Sequence, residues 1–426
     1  MAINLFKAFG VELEYMIVDD RSLEVFPACD QLLHTVATDP AEPYPTEVER
    51  SHGISWSNEL ALHVVELKTT DPVPRFHGLA QDFQRNISDI HHRLTPLGAR
   101  LMPTAMHPWM DPFEQMRLWP HEYSPVYETF NRIFDCRGHG WANLQSVHLN
   151  LPFADDAEFA RLHAAVRLLL PILPALAASS PMMDGRLTGL LDNRLDVYQS
   201  NARKAPTVSG LVIPEPVYSR ADYQRSILQA IYDQLAPHDP EGTLRYEWAN
   251  ARGAIARFDR NAIEIRVLDV QECPAADVAV CTTIAGVLQA IVGERWSELY
   301  TQQAWAVEPL RAIFLDCVRD ADTAVIRDRE YLRTFGLDAD RLSAGELWNH
   351  LVANTRPVDD QDEDARSPIE SILHHGSLAR RITRALVGHD IPRGEPHTIS
   401  IDRDRAAATY RSLCDCLVEG RMFLGL

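Results

Sequence analysis

The stretch Phe9–Asp19 reads FGVELEYMIVD. Laid out as a strand, Phe9, Val11, Leu13, Tyr15 and Ile17 form an apolar stripe, while Gly10, Glu12, Glu14 and Met16 take the other side. Glu12 and Glu14 then point the same way, roughly 6.5–7 Å apart at their Cα atoms. Carboxylates so placed repel unless cations stand between or above them. Such a strand buries one face and offers the other as a bed for metal ions. The plain alternative is an edge strand whose acids face water, and the rest of the chain decides between the two.

Three further strands repeat the design. Leu60–Thr70, LALHVVELKTT, places Leu62, Val64, Glu66 and Lys68 on one side and ends at Asp71-Pro72. Glu59 has the opposite parity to Glu66, so it reaches the same place only from a preceding turn or across a bulge. Leu144–Phe153 turns Val147, Leu149 and Leu151 one way and Ser146, His148 and Asn150 the other. Asn261–Val270 sets Glu264 and Arg266 against Ile263, Ile265 and Val267. Leu101–His107, Leu244–Ala249 and Ala254–Phe258 are shorter strand candidates.

Helical spacing is expected at Cys29–Ala37, His77–Leu94, Tyr123–Ile133 and Ala221–Leu235, and from a cap at Asp155 or Asp156 to about Ala178. Beyond Pro274 the pattern is helical throughout: Ala275–Tyr300, Glu308–Cys317, Asp322–Thr334, Ala344–Asn354, Pro368–Leu386 and Asp402–Leu417. Strands gathered before residue 270 and helices after it predict an α+β fold, an antiparallel sheet with helices packed on one face. The 426 residues read as one catalytic domain, with the sheet and its site within 1–270 and a mainly helical 275–426.

A net charge of −19 disfavours nucleic acid and anionic membranes as partners. Seven cysteines without zinc spacing suit free thiols in a reducing compartment. MAINLFKAFG lacks the apolar core of a secretory signal, and the apolar run Leu162–Ala178 is interrupted by Arg167, Pro171 and Pro174. A cytoplasmic protein acting on small molecules is expected. The helical C-terminal third could supply a homo-oligomer interface.

If the apolar faces are buried together, Glu12, Glu14, Glu66, His148 and Glu264 share one polar face. Four carboxylates and one imidazole suit Mg²⁺, with Mn²⁺ as the alternative, better than zinc. Arg266 beside them suggests phosphate chemistry, because magnesium bridges phosphate oxygens and arginine spreads positive charge over a transferring group. A Walker loop, a dinucleotide fingerprint and an HExxH helix are absent from the sequence.

The ordered set Gly10-Val-Glu-Leu-Glu14, Glu59…Glu66, Thr104-Ala-Met-His-Pro108, Ser146-Val-His-Leu-Asn150, Ser180-Pro-x-x-Asp-Gly-Arg186 with Arg194, and Ile263-Glu-Ile-Arg266 resembles the glutamate–cysteine ligase superfamily. The likeness is to its bacterial carboxylate–amine ligase branch, related in fold to glutamine synthetase. Gly376–Arg381 adds a weaker match in the tail.

The resemblance implies an antiparallel sheet of about six strands forming a funnel, and ATP-dependent amide formation through an acyl phosphate with Mg²⁺. It implies Glu12, Glu14, Glu66, His148 and Glu264 as metal ligands, with Glu59 an additional one. Arg266 would act on the γ-phosphoryl group, and Arg194, Arg252 and Arg257 on phosphate or a substrate carboxylate. His107 would hold the loop before Pro108. Two departures bear on the substrates: only two acids open the first strand, and the His148 strand carries a single histidine. The competing activities are a phosphotransferase on a small acid or guanidino compound, a nucleotide-binding relative without turnover, and a divalent-metal hydrolase.

Overall fold

The computed structural model describes residues 2–355, 363–390 and 398–425. Its main sheet has eight strands: β1 (Gly10–Asp19), β2 (Glu47–Glu49), β3 (Ile54–Asn58), β4 (Val64–Thr69), β5 (Ala99–Met102), β6 (Ser146–Pro152), β7 (Ala254–Arg257) and β8 (Ala262–Asp269). Their order is β2-β3-β4-β1-β6-β8-β7, antiparallel at each pairing. The opening stretch is the hub. One edge of β1 pairs with β4 over Glu12–Met16, and the other is divided, Gly10–Leu13 against β6 and Met16–Asp19 against β5.

Alternation decides what each face does. Val11, Leu13, Tyr15 and Ile17 are wholly buried, in one core with Phe83, Ile87 and Ile90 of helix α1 (Leu79–Leu94) and Ile284 and Leu288 of a core helix, Pro274–Val292. Each such aliphatic side chain contributes about 1.5–3 kcal/mol by leaving water. The core helix is long and apolar enough to cross a membrane, but 72% of its most apolar window is buried inside this protein. Its Asp277 accepts a hydrogen bond from the Tyr15 hydroxyl at 3.3 Å, tying the helix to β1.

On the other face Met16 and Val18 pack with Met102, Leu378, Ile382, Tyr410 and Leu413. The C-terminal helices Leu378–Val387 and Arg403–Glu419 therefore close the far end of that face, while the Glu12 and Glu14 end borders a cleft walled by Tyr127, Phe130, Trp141 and Trp248. All seven cysteines are buried and free.

Several expectations change in detail. The sheet exceeds the expected six strands because the hairpin β2–β3 extends one edge; only three and five residues long, it follows a Pro-rich loop that hides its alternation. The second acidic strand starts at Val64 rather than Leu60, since Leu60–His63 forms the turn out of β3. Leu244–Ala249 is no strand: Glu247–Ala249 is a single 3-10 turn. Leu101–His107 shortens to Ala99–Met102, and the helix expected to reach Ala178 breaks after Leu169 ahead of Pro171. Ala275–Tyr300 stops at Val292, and only Arg329–Thr334 of Asp322–Thr334 is α-helical. Pro368–Leu386 falls into two helices around Gly376, whose φ of 87° suits glycine.

Candidate functional site

Register brings the acids together. Glu14 stands opposite Glu66 on β4, Glu12 stands between Lys68 and His148, and Glu264 faces Asn150. Residues directly opposite in an antiparallel pair share a face, so four strands deliver these groups to one surface. Arg266 sits where the β6–β8 register shifts, in the irregularity between Ile265 and Leu268. Two residues from Glu264, Arg266 keeps its parity and so shares the face of the acids. Gly10 is needed for close approach, because a Cβ there would lie 3.0 Å from the Asn150 Cβ.

Each of these acids is held by neighbouring side chains. His148 Nδ1 bonds Glu12 Oε2 at 2.8 Å, and Asn150 donates to Glu12 Oε1 at 3.0 Å. The Ser146 backbone N–H and hydroxyl donate to Glu14 Oε2 at 2.7 and 3.0 Å, and His148 Nε2 lies 3.0 Å from that hydroxyl. Ser57 donates to Glu66 Oε2 at 2.6 Å. Arg266 Nε pairs with Glu264 Oε1 at 2.7 Å, and Arg257 approaches the other oxygen at 3.5 Å.

Two triads, Glu12–Glu66–His148 and Glu14–Glu59–Glu66, each hold candidate ligand atoms within 4.8 Å of one another. Glu59 joins from the residue immediately after β3, the preceding-turn route its parity allows. Glu14, Glu59, Glu66 and His148 line a cleft of about 520 Å³, a size that accommodates a nucleotide or a comparable small molecule.

Burial and charge compete over these groups. Burial pushes the His148 imidazole down, but the Glu12 hydrogen bond and the Glu14, Glu12 and Glu264 charges win and raise it to about 9. Burial would raise Glu12 too, as would Glu264, yet the His148 hydrogen bond together with the His148 and Lys68 charges leaves it below the usual value. Glu264 is likewise lowered against its burial, by Arg266, His148 and Arg257. Glu14 and, more strongly, Glu59 are raised by burial, reinforced by neighbouring carboxylates. Burial first, and neighbouring carboxylates after it, thus make Glu14 and Glu59 easier to protonate than ordinary carboxylates, an effect that a bound cation would oppose.

The arginines divide. Arg266 and Arg257 line the cleft, as does Arg260, which the sequence reading missed because it lies in the β7–β8 turn. Arg194 also borders it but is engaged in the interior, pairing with Asp269 at 3.2 Å and donating to the Arg266 carbonyl at 2.6 Å. Arg252 is spent elsewhere. Its guanidinium holds Glu215 bidentately at 2.6 and 2.7 Å, with the Thr207 carbonyl and Asn250 as further acceptors, and it is not among the residues lining the cleft. His107 lies in the protein interior, its N–H and imidazole bonded to Asn143 and the Leu23 carbonyl. Ser57, Ser146 and Asn150 were also missed as partners of the acids. Same-face position on the strands was their only signal.

The family model of glutamate–cysteine ligase family 2 matches residues 8–403. The chain belongs to this family. An uncharacterised protein of Archaeoglobus fulgidus is 34% identical over 81% of this chain and 92% of its own length. A putative glutamate–cysteine ligase 2 of Ectopseudomonas mendocina is 30% identical over 72% and 71%, and one of Clavibacter sepedonicus is 26% identical over 70% of each. The solved structure of the Francisella tularensis glutamate–cysteine ligase, in complex with AMP, covers 97% of this chain and 89% of that one with a TM-score of 0.55 at 12% identity. At that identity the likeness is one of fold, and the α+β architecture with its antiparallel sheet is therefore that of a glutamate–cysteine ligase.

Proposed function

We propose that this protein is an ATP-dependent carboxylate–amine ligase that forms an amide with Mg²⁺, glutamate and an amino-acid amine being the reference pair. The observation that carries the reading is the convergence of Glu12, Glu14, Glu66, His148, Glu264 and Arg266 on one end of one sheet face, at a cleft, in a member of this family. The donor set fits a hard divalent ion: carboxylate oxygens dominate, and the single imidazole stands among them. Glu12, Glu66 and His148 would hold one ion and Glu14, Glu59 and Glu66 a second. Bound there, magnesium would neutralise phosphate oxygens.

The chain's own residues supply position and charge. Arg266, fixed by Glu264, would face the γ-phosphoryl group as a substrate carboxylate attacks it and ADP leaves. Arg257 and Arg260 extend the positive wall along the cleft for the remaining anionic groups. The incoming amine would then attack the acyl carbon of the resulting acyl phosphate, forming the C–N bond as the C–O bond to phosphate breaks and free phosphate leaves, and its surplus proton would go to solvent or a nearby carboxylate. No covalent enzyme intermediate is required; orientation and electrostatic stabilisation do the work.

The test is ADP release with ATP and Mg²⁺ across pairs of amino acids, with product masses read from a mixed pool. Turnover should require both an acid and an amine, and Glu264→Ala should lower it at least about a hundredfold. ADP formed from an acid alone would favour the phosphotransferase, and full activity in Glu264→Ala would refute the site.

A further inference from the structure

Lys68 is one of three lysines in a chain that otherwise uses arginine, and it stands in the middle of the acidic face. On β4 it is directly opposite Glu12, two residues beyond Glu66 on the same side. Its Nζ lies 2.9 Å from Glu47 Oε2 and 3.2 Å from Glu66 Oε2, and the side chain is about one-quarter exposed. Glu66 Oε2 also accepts the Ser57 hydroxyl. One oxygen of Glu66 is therefore occupied twice, while Glu66 is the only carboxylate common to both candidate metal triads among the described residues.

We infer that the Lys68 ammonium is a resident cation of the site, competing with divalent metal for Glu66 and setting how tightly the metal is held. The inference rests on the metal reading given under the proposed function. Two consequences follow from the contacts. With Oε2 committed to Ser57 and Lys68, Oε1 is left as the metal-facing oxygen of Glu66. Lys68 also offsets part of the acidic charge that would otherwise bind cations more strongly. Glu47 keeps the ammonium in place from the outer side, so β2, the short edge strand, acts on metal affinity through a single ion pair. An ammonium and a divalent ion sharing one carboxylate stand about 6 Å apart, where their repulsion is worth roughly tenfold in affinity even at the dielectric of bulk water.

The sign distinguishes this role from a structural one. If Lys68 only ordered Glu66, removing it would weaken metal binding; if it competes, removal strengthens binding. Mn²⁺ binding is measured by electron paramagnetic resonance of the free ion, without nucleotide, on the wild type, Lys68→Met and Lys68→Arg. Lys68→Met should bind Mn²⁺ at least tenfold more tightly. Lys68→Arg, which keeps the charge, should stay within about threefold of the wild type. The release of Lys68 should be mirrored by Glu47→Gln, which frees the ammonium without touching Glu66 and should alter affinity by less than Lys68→Met does. Weaker or unchanged binding in Lys68→Met overturns the inference while wild-type binding upholds the metal site. Absence of Mn²⁺ binding in both wild type and Lys68→Met overturns the inference and the metal reading together. Thermal unfolding of the same samples, with Tm within a few degrees of wild type, shows that the comparison is between folded proteins.

Discussion

Replacing Asp269 by Asn should cost more stability than its distance from the cleft suggests, and should reach the chemistry indirectly. Asp269 and Arg194 are almost completely buried, 1% and 2% exposed. The carboxylate takes hydrogen bonds from the Ser179 N–H at 2.8 Å and the Ser180 hydroxyl at 3.0 Å, and pairs with Arg194 at 3.2 Å. Arg194 in turn donates to the Arg266 carbonyl at 2.6 Å, inside the irregular turn of β8. Burial pushes Asp269 upward, and Arg194 with the Ser179 and Ser180 bonds offsets this only in part. The pair is thus expensive to bury and worse to break, since Asp269→Asn strands a guanidinium in the interior.

Breaking a buried pair costs about 3–5 kcal/mol, a large share of a stability of about 5–15 kcal/mol. Urea unfolding should register that loss as a lower midpoint at unchanged slope. The double variant Asp269→Leu with Arg194→Met should recover at least half of it, because the stranded charge is gone. Its ligase turnover should nevertheless stay at least about tenfold below wild type, because the Arg266 carbonyl has lost its donor. A loss below about 1 kcal/mol in Asp269→Asn, or wild-type turnover in the double variant, would refute the reasoning.

Two further outcomes follow from the coordinates. Gly10→Ala should push β1 from β6 at the Asn150 contact of 3.0 Å, lowering stability by about 1–2 kcal/mol and loosening Mn²⁺ binding through Glu12 and His148; equilibrium unfolding and metal titration check it. His163 is packed among Phe159, Tyr218 and Tyr223, where burial and then the Arg167 charge push its imidazole down to about 3. The unfolded imidazole takes up a proton near pH 6.5 that the folded site refuses until about 3, so the stability held above 6.5 drains away as the pH falls through that window. Relative to His163→Leu, the wild type should lose about 1.6 kcal/mol more between pH 6.5 and 5, read from urea midpoints.

Much of the site was legible because a strand's period of two is a local property. Glu12, Glu14, His148 and Glu264 announced themselves by lying opposite apolar neighbours, and the sheet gathered them without any change of parity. Glu59 was legible only as a condition, since its parity required a turn whose position the sequence did not define. Arg252 and Arg194 show the opposite case. A guanidinium looks the same in sequence whether it awaits a phosphate or is satisfied by a buried carboxylate, and Glu215 and Asp269 lie 37 and 75 residues away from their partners. Lys68 was seen as a strand residue, but its ion pair with Glu47 depends on the hairpin hidden behind the Pro-rich loop.

The chain by itself therefore determined which residues face together along each strand, the segregation of strands from helices, and the acidic character of one face. Hydrophobic alternation and steric limits on the backbone act over a few residues and leave their mark in the sequence. Tertiary structure alone decided strand order, which cations are consumed by which acids, and which end of the polar face borders the cleft. Those depend on packing and charge pairing between segments distant in the chain, where many pairings satisfy the same local pattern and only the complete fold selects among them.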